Sequence, residues 1–195
     1  AGVYQVPLIE AAKRLGYKTV VASSKGDYPG KQLADVFLEI DTTDSDSILA
    51  ACEEFPPVGI LTTGSDVCVP SIGKVVDSLG LPGTGRKAAV RSMDKIAMKE
   101  RFIANGVPTA NFQVCYSLEE AKNAAEKIGY PLAVKASDSS GSRGISKVQE
   151  ISEMGAAYMA AFNESKSKLV IVEEWLEGLE FGAQAIVVGD EIVDC

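Results

Sequence analysis

A chain of 195 residues, 46% hydrophobic and 24% charged, has the composition of ordinary globular material, with room for one large domain or two smaller ones. No run approaches the roughly 18 apolar residues of a membrane span, and 19 basic against 27 acidic residues, a net charge of −8, give nucleic-acid binding no bulk electrostatic support. Histidine is absent, which removes Ser-His-Asp hydrolases, Cys-His proteases and His-ligated metal sites from these residues.

The sequence opens on a helix entrance with no strand before it and ends inside the second arm of a hairpin, so it reads as clipped at both ends. Pro7 suits a first helical turn, Val6, Ile9, Ala12 and Leu15 recur at helical spacing, and Gly16 suits the position after the helix. KTVVAS (18–23) and ADVFLEID (34–41) read as strands and DSDSILAACEEF (44–55) as a helix. VGILTT (58–63) reads as a further strand and VPSIGKVVDSLG (69–80) as a helix. Strands alternating with helices of this length imply right-handed crossovers and a parallel, doubly wound α/β sheet. LPGTG (81–85) breaks the alternation and is the candidate boundary between a domain at 1–85 and another at 86–195.

Beyond it come two short helices, RKAAVRSM and DKIAMKERFIANG, with Asp94 a candidate cap, and then strand NFQVC (111–115). SLEEAKNAAEKIG (117–129) begins with a capping box, Ser117 with Glu120 three residues on, and ends on glycine. Strand LAVK, loop KASDSSGSRG (135–144), strand ISKV, helix SEMGAAYMAAFNES (152–165) and strand KLVIVEE (168–174) follow. EFGAQAIVV and EIVDC flank Gly189-Asp190, a two-residue hairpin turn. This half is a mixed, largely antiparallel α+β module. The four cysteines, Cys52, Cys68, Cys115 and Cys195, include no CxxC and read as free thiols of a cytoplasmic protein.

Three stretches carry candidate chemistry. Ser139, Ser140, Gly141, Ser142, Arg143 and Gly144 form a loop far longer than a hairpin needs. Successive amides in such a loop can cradle phosphate oxygens, with Arg143 and Lys135 as cations beside them. Taken alone, the loop fits a mobile hairpin tip at least as well. In VIVEEWLEGLEF (170–181) a strand leaving the sheet can offer its backbone to a purine edge and a carboxylate such as Glu180 to ribose hydroxyls. By itself it equally describes an amphipathic strand with solvated glutamates and a buried Trp175. In MDKIAMKERF (93–102), Lys95 stands at a helix start, where the macrodipole does not favour a cation but a bound phosphate would. Ser65 and Asp66, after VGILTT, are candidates for the acceptor-substrate side, though a helix cap is the simpler role for Asp66.

In this order and spacing the stretches resemble the ATP-grasp superfamily, nearest its carbamoyl-phosphate-synthase-like and biotin-carboxylase-like branch, and the resemblance covers nearly the whole chain. It implies a pre-ATP-grasp domain, a lid subdomain at about 111–175 and the start of a C-terminal ATP-grasp sheet. Lys95 and Lys135 would contact ATP phosphates, with residues 138–144 as the lid. Glu173 and the backbone of Glu174 and Leu176 would address adenine, and Glu180 the ribose. The resemblance implies an ATP-dependent carboxylate ligase acting on small carboxylate and amine substrates through an acyl phosphate. Mg2+ is expected, with its ligands downstream of Cys195 and none in this chain, so these residues would bind ATP without turning it over. Ala136 departs from the proline many members carry, which is expected to loosen the strand exit, and residues 138–143 are expected to be poorly ordered without nucleotide. A non-catalytic nucleotide-binding regulatory module is the alternative. A dinucleotide oxidoreductase draws only on the first half, and KTVVAS lacks the acidic residue such a site needs. For oligomeric state, a homodimer is the prior.

Overall fold

Val20–Ser23 (β1) and Val36–Glu39 (β2) pair in parallel, Val20 opposite Val36 through Ser23 opposite Glu39. Pro29–Leu33 (α2), a short helix the sequence pattern did not reveal, carries the chain between them. The computed structural model from which these elements come describes residues 1–194; Cys195 and its thiol lie outside them. Val6–Arg14 (α1) starts on Pro7, and Gly16 follows its end at φ +82°. Asp35 ties this helix to the strand pair by accepting from Lys13 Nζ at 2.8 Å, Thr19 N at 2.7 Å and Thr19 Oγ1 at 2.9 Å. The lysine and the two threonine donors hold its carboxyl well below the usual carboxylate range.

One expected strand is not formed. VGILTT is irregular and unpaired, with Val58 and Leu61 exposed, so the parallel sheet has two strands among the described residues. A strand needs a ladder partner for its amides and carbonyls, and a cavity of about 250 Å³ lined by Val20, Ala22, Ile60 and Thr62 separates this segment from β1. The helices on either side form as read: Ser45–Glu54 (α3), capped by Asp44, and Val69–Leu79 (α4), closed by the left-handed Gly80.

Arg86–Met93 (α5) lies against α4, and Lys95–Ala104 (α6) follows after a single residue. Asp94 makes that corner by accepting from Ile96 N at 2.9 Å and Ala97 N at 3.2 Å, which satisfies two of the amides a helix start leaves unpaired. Four strands come next: Phe112–Cys115 (β3), Leu132–Ala136 (β4), Ile145–Val148 (β5) and Val170–Glu174 (β6). They form one fully antiparallel sheet in the order β3-β6-β4-β5. Leu118–Ile128 (α7) and Met154–Glu164 (α8) cover one face, where Leu132, Val134, Val170, Val172, Met154 and Ala161 make a closed apolar core. The box opening α7 is offset: Ser117 Oγ accepts from Glu120 N, while Glu120 Oε2 accepts from Tyr116 N rather than from Ser117. Ile186–Val188 (β7) and Glu191–Asp194 (β8) form a separate hairpin around Gly189, and Ile186, Val187, Val188 and Ile192 are exposed. No helix among the described residues is long and apolar enough to cross a membrane.

Inside α4, Gly73 lets α5 approach. A Cβ there would stand 2.7 Å from Arg86 Cα and 2.8 Å from Ala89 Cβ, the first of them backbone that cannot turn aside. Gly73→Ala in the full-length protein is expected to lower stability by about 1–3 kcal/mol, despite alanine's better helix propensity. Denaturant unfolding checks this, and an unchanged or raised midpoint would refute the close packing.

Candidate functional site

Strand alternation divides β4 and β6 between two environments. Leu132, Val134 and Ala136 face the apolar core, and so do Val170 and Val172. Lys135, Ile171 and Glu173 therefore share the opposite face. The register sets Glu173 opposite Ala133 and Lys135 opposite Ile171, so Lys135 and Glu173 are diagonal neighbours within reach of a long side chain. On the far side Glu173 stands opposite Phe112 of β3. The Lys135 ammonium pairs with Glu173 Oε1.

The third member of this cluster is Lys99, which the sequence reading passed over. It is 5% exposed, its Nζ lies 2.9 Å from Glu173 Oε2 and 4.9 Å from the centre of the Phe112 ring, and it donates to Thr109 Oγ1 at 2.8 Å. Lys95 and Lys99 stand four residues apart and share one face of α6; that spacing was the available signal. Glu173 is itself 7% exposed. Its Oε2 is near enough to Lys99 for an ion pair but accepts no aligned hydrogen bond among the described residues.

Lys95 reaches the 135–144 loop from the same helix. Its backbone N–H donates to Ser137 O at 3.0 Å and its ammonium to Ser139 O. Burial lowers its pKa, and repulsion from Lys135 lowers it further, against the opposing pull of Asp138, Glu173 and Asp94. Lys95, Met98, Ser139, Ser140 and Asp66 line a cavity of about 350 Å³, a volume in the small-ligand range. Asp66 is exposed there and does not cap α4, which Cys68 precedes without a side-chain cap. Ser65 lines the other cavity, beside β1. The two acceptor-side candidates are thus separated.

The loop is anchored at its base and open at its tip. Asp138 accepts from Ser165 Oγ at 3.0 Å, Lys166 N at 3.0 Å and Ser167 N at 2.7 Å, and the buried Ser137 hydroxyl meets Ser167 Oγ at 2.9 Å. Asp138 thus belongs to the fixed base rather than to the mobile span expected from the sequence. Burial works against its ionisation, but the donors from Ser167, Ser165 and Lys166 outweigh it and hold the carboxyl below its ordinary value. Gly141, Ser142 and Arg143 are exposed, with Gly141 and Ser142 in left-handed backbone. Arg143 turns inward on the loop, donating from Nε to Ser140 O at 3.2 Å while its own carbonyl accepts from Ser139 Oγ at 2.9 Å. Gly144, at φ +64°, leaves no room for a side chain, since a Cβ would stand 2.8 Å from Glu164 Cβ. Ala136 does not loosen the strand exit: its N–H donates to Gly144 O at 3.2 Å, a bond proline could not make.

At the end of β6, Glu174 N donates to Asn111 O at 2.9 Å and Trp175 N to Pro131 O at 3.2 Å, and Lys147 lies 4.5 Å over the Trp175 ring. Leu176 and Glu180 are exposed, and Glu180 makes no ion pair among the described residues. The structure therefore gathers Lys95, Lys135, Glu173 and residues 138–140 but does not bring Glu180 to them. Of the thiols, Cys115 is buried and pushed up to about 11 by burial, and Cys52, Cys68 and Cys115 are unpaired.

A family profile described as phosphoribosylglycinamide synthetase, ATP-grasp (A) domain, matches residues 93–195. The D-alanine–D-alanine ligase of Marinobacter nauticus is 38% identical over 109 residues, covering 55% of this chain and 33% of that protein. The crystal structure of phosphoribosylglycinamide synthetase from Anaerococcus prevotii superposes with a TM-score of 0.75 at 32% identity, over 99% of this chain and 48% of that one. The biotin carboxylase domain of Hydrogenobacter thermophilus 2-oxoglutarate carboxylase, a dimer solved with MgADP, ADP and bicarbonate, gives 0.73 at 26% identity, over 88% and 42%. The chain spans less than half the length of each of these proteins.

Removing the Asp138 carboxylate should free the loop base. Its contribution is present at neutral pH and is lost as the pH falls through its depressed pKa. At pH 8, Asp138→Ala in the full-length protein is expected to speed tryptic cleavage after Arg143 several-fold. An unchanged cleavage rate would show that Asp138 does not anchor the loop.

Proposed function

The chain belongs to the ATP-grasp family through the phosphoribosylglycinamide synthetase ATP-grasp (A) domain, and on that premise we propose that the whole protein is an ATP-dependent ligase joining a carboxylate to an amine or similar nucleophile. The observation that carries this reading is the meeting of Lys95, Lys135 and the 138–144 loop at one cationic face beside a cavity of ligand size. Two lysines and a loop rich in backbone amides are suited to a polyphosphate. In this proposal Lys95 and Lys135 hold the phosphates and the loop tip closes over them.

Glu173 has its carboxylate between two lysines and its backbone inside the ladder, so the adenine edge falls to the strand exit at Glu174 and Leu176. Glu180 reaches the ribose once its exposed segment folds inward. Asp66 faces the cavity from the other side and is suited to the ammonium of an amine substrate. A carboxylate oxygen attacks the terminal phosphorus, ADP leaves, and the nucleophile then displaces phosphate from the acyl phosphate. The cations offset the charge that builds on the transferring oxygens. Magnesium, when bound, would add to that charge offset. No group of three or more metal-ligating side chains gathers among the described residues, and in this proposal the protein ligands of magnesium are sought outside them. A cytoplasmic setting, suited to the free thiols, and a division near residues 81–85 belong to the same proposal.

Titration calorimetry of the full-length protein with ATP, and phosphate release across a panel of carboxylates and amines, test it. Lys135→Ala is expected to weaken ATP at least tenfold, in line with a charged hydrogen bond of about 1.5–3 kcal/mol, and Glu180→Ala by a smaller factor. If both variants keep the unmodified affinity, the site assignment fails. ATP binding with no phosphate release from any pair would leave a regulatory nucleotide-binding module instead.

A further inference from the structure

Lys99 and Lys135 share one buried carboxylate, but they are not equivalent. The Lys99 side chain is 6% exposed and fixed by Glu173, Thr109 and the Phe112 ring. Lys135 is 19% exposed, lies near enough to Lys95 to repel it, and has Glu173 as its one ion-pair partner among the described residues. If Lys135 turned toward an incoming anion, Glu173 would keep a single cation. The carboxylate is prepared for that: Oε2 has no hydrogen bond, and Lys99 Nζ already lies 2.9 Å from it.

We infer that Lys99 is a positioning residue for the phosphate site, keeping Glu173 charge-balanced so that Lys135 can leave that carboxylate for a nucleotide phosphate. Lys135 is parked on Glu173 Oε1 before the anion arrives. As Lys135 swings away, the Lys99 ammonium turns a proton onto the open lone pair of Oε2 and holds the whole charge. Without Lys99, Glu173 competes with the phosphates for Lys135, because a carboxylate this deeply buried cannot be left unpaired. The site is then short of one cation even though no phosphate-contacting residue has changed. Lys99 itself stays with Glu173, Thr109 and the Phe112 ring and touches no ligand.

The inference rests on the nucleotide reading, and one set of titrations separates the two. The full-length protein and its Lys99→Met, Lys99→Arg and Lys99→Met/Glu173→Gln variants are titrated with ATP and with adenosine, which carries no phosphate. For Lys99→Met, ATP is expected to weaken at least tenfold while adenosine stays within twofold. Lys99→Arg keeps the charge and should remain within threefold for ATP. The double variant removes the charge that competes for Lys135 and should recover most of the lost affinity. A purely structural role for Lys99 would weaken both ligands together and would not be rescued by Glu173→Gln, so either result overturns the inference. Unchanged ATP affinity in Lys99→Met overturns it as well. Should Lys99→Met alone fail to fold, the folded double variant decides, since ATP affinity well below that of the unmodified protein would refute the competition. Absence of ATP binding by the unmodified full-length protein would overturn the nucleotide reading itself.

Discussion

Glu173 is a carboxylate taken almost wholly out of water in the central part of a four-stranded sheet, and the elements around it are placed to answer its charge. Desolvating such a group costs several kcal/mol, and stripping one partner from a buried pair typically costs about 3–5 kcal/mol. Lys135 comes from the neighbouring strand by register, and Lys99 from α6, on the side of the sheet away from α7 and α8. Phe112 is set opposite Glu173 by the β3–β6 pairing and offers its ring face to the same Lys99 ammonium. Thr109, just before β3, fixes that ammonium from another side. One charge therefore ties α6 to β3, β4 and β6, on the face that α7 and α8 leave uncovered.

Two lysines on one carboxylate leave a positive excess, and Lys95 adds to it. The chain as a whole is acidic, with a net charge of −8, and Asp94 and Asp138 lie near Lys95, so the three lysines are a cationic cluster set among carboxylates. Its desolvated walls strengthen the field at short range, while the acidic remainder repels anions elsewhere on the surface. The depressed pKa of Lys95 is the cost of holding ammonium groups close together away from water. That cost is recovered when an anion of high charge density enters, which suits a polyphosphate better than a monovalent carboxylate.

Much of the second half was legible because its signals are local. Ser117, Asp94 and Gly129 mark helix ends through bonds within a few residues, and VIVEE and LAVK carry the alternation that turns Glu173 and Lys135 away from the core. What stayed hidden depends on register and on partners far along the chain. The Lys135–Glu173 diagonal is fixed by how β4 pairs with β6, and period-two patterning says nothing about which residues stand opposite. Lys99 was passed over because its burial comes from β3 and β6, which follow it in the chain. The serines at 137, 165 and 167 received no role from the sequence, yet Ser165 and Ser167 hold Asp138 and Ser137 bonds Ser167. VGILTT failed in the opposite sense: its composition is that of a strand, but composition supplies no ladder partner, and across the cavity β1 does not provide one.

The anchor also decides what kind of motion the loop can make. Ser137 is held by Lys95 N–H, Leu169 O and Ser167, and Asp138 by three donors, so the loop base and the start of α6 move as one body. At the other end Gly144 is pressed against α8 and accepts from Ala136 N–H. Between these fixed points the backbone turns through left-handed residues at Gly141 and Ser142, and its internal bonds are the Ser139 and Arg143 pair and the Arg143–Ser140 contact. Those bonds are solvent-exposed and weak, so a ligand can exchange them for contacts of its own at little net cost. In the proposed site, closure means that the Arg143 side chain and the amides around Gly141 turn toward the phosphates, while Lys95 and Ser139 stay where α6 holds them. A loop held this firmly at both ends is not free to sweep across the cavity. In the proposed site only its tip folds down, so the placement of Lys95 and Glu173 belongs to the scaffold and Lys135 is the side chain that moves.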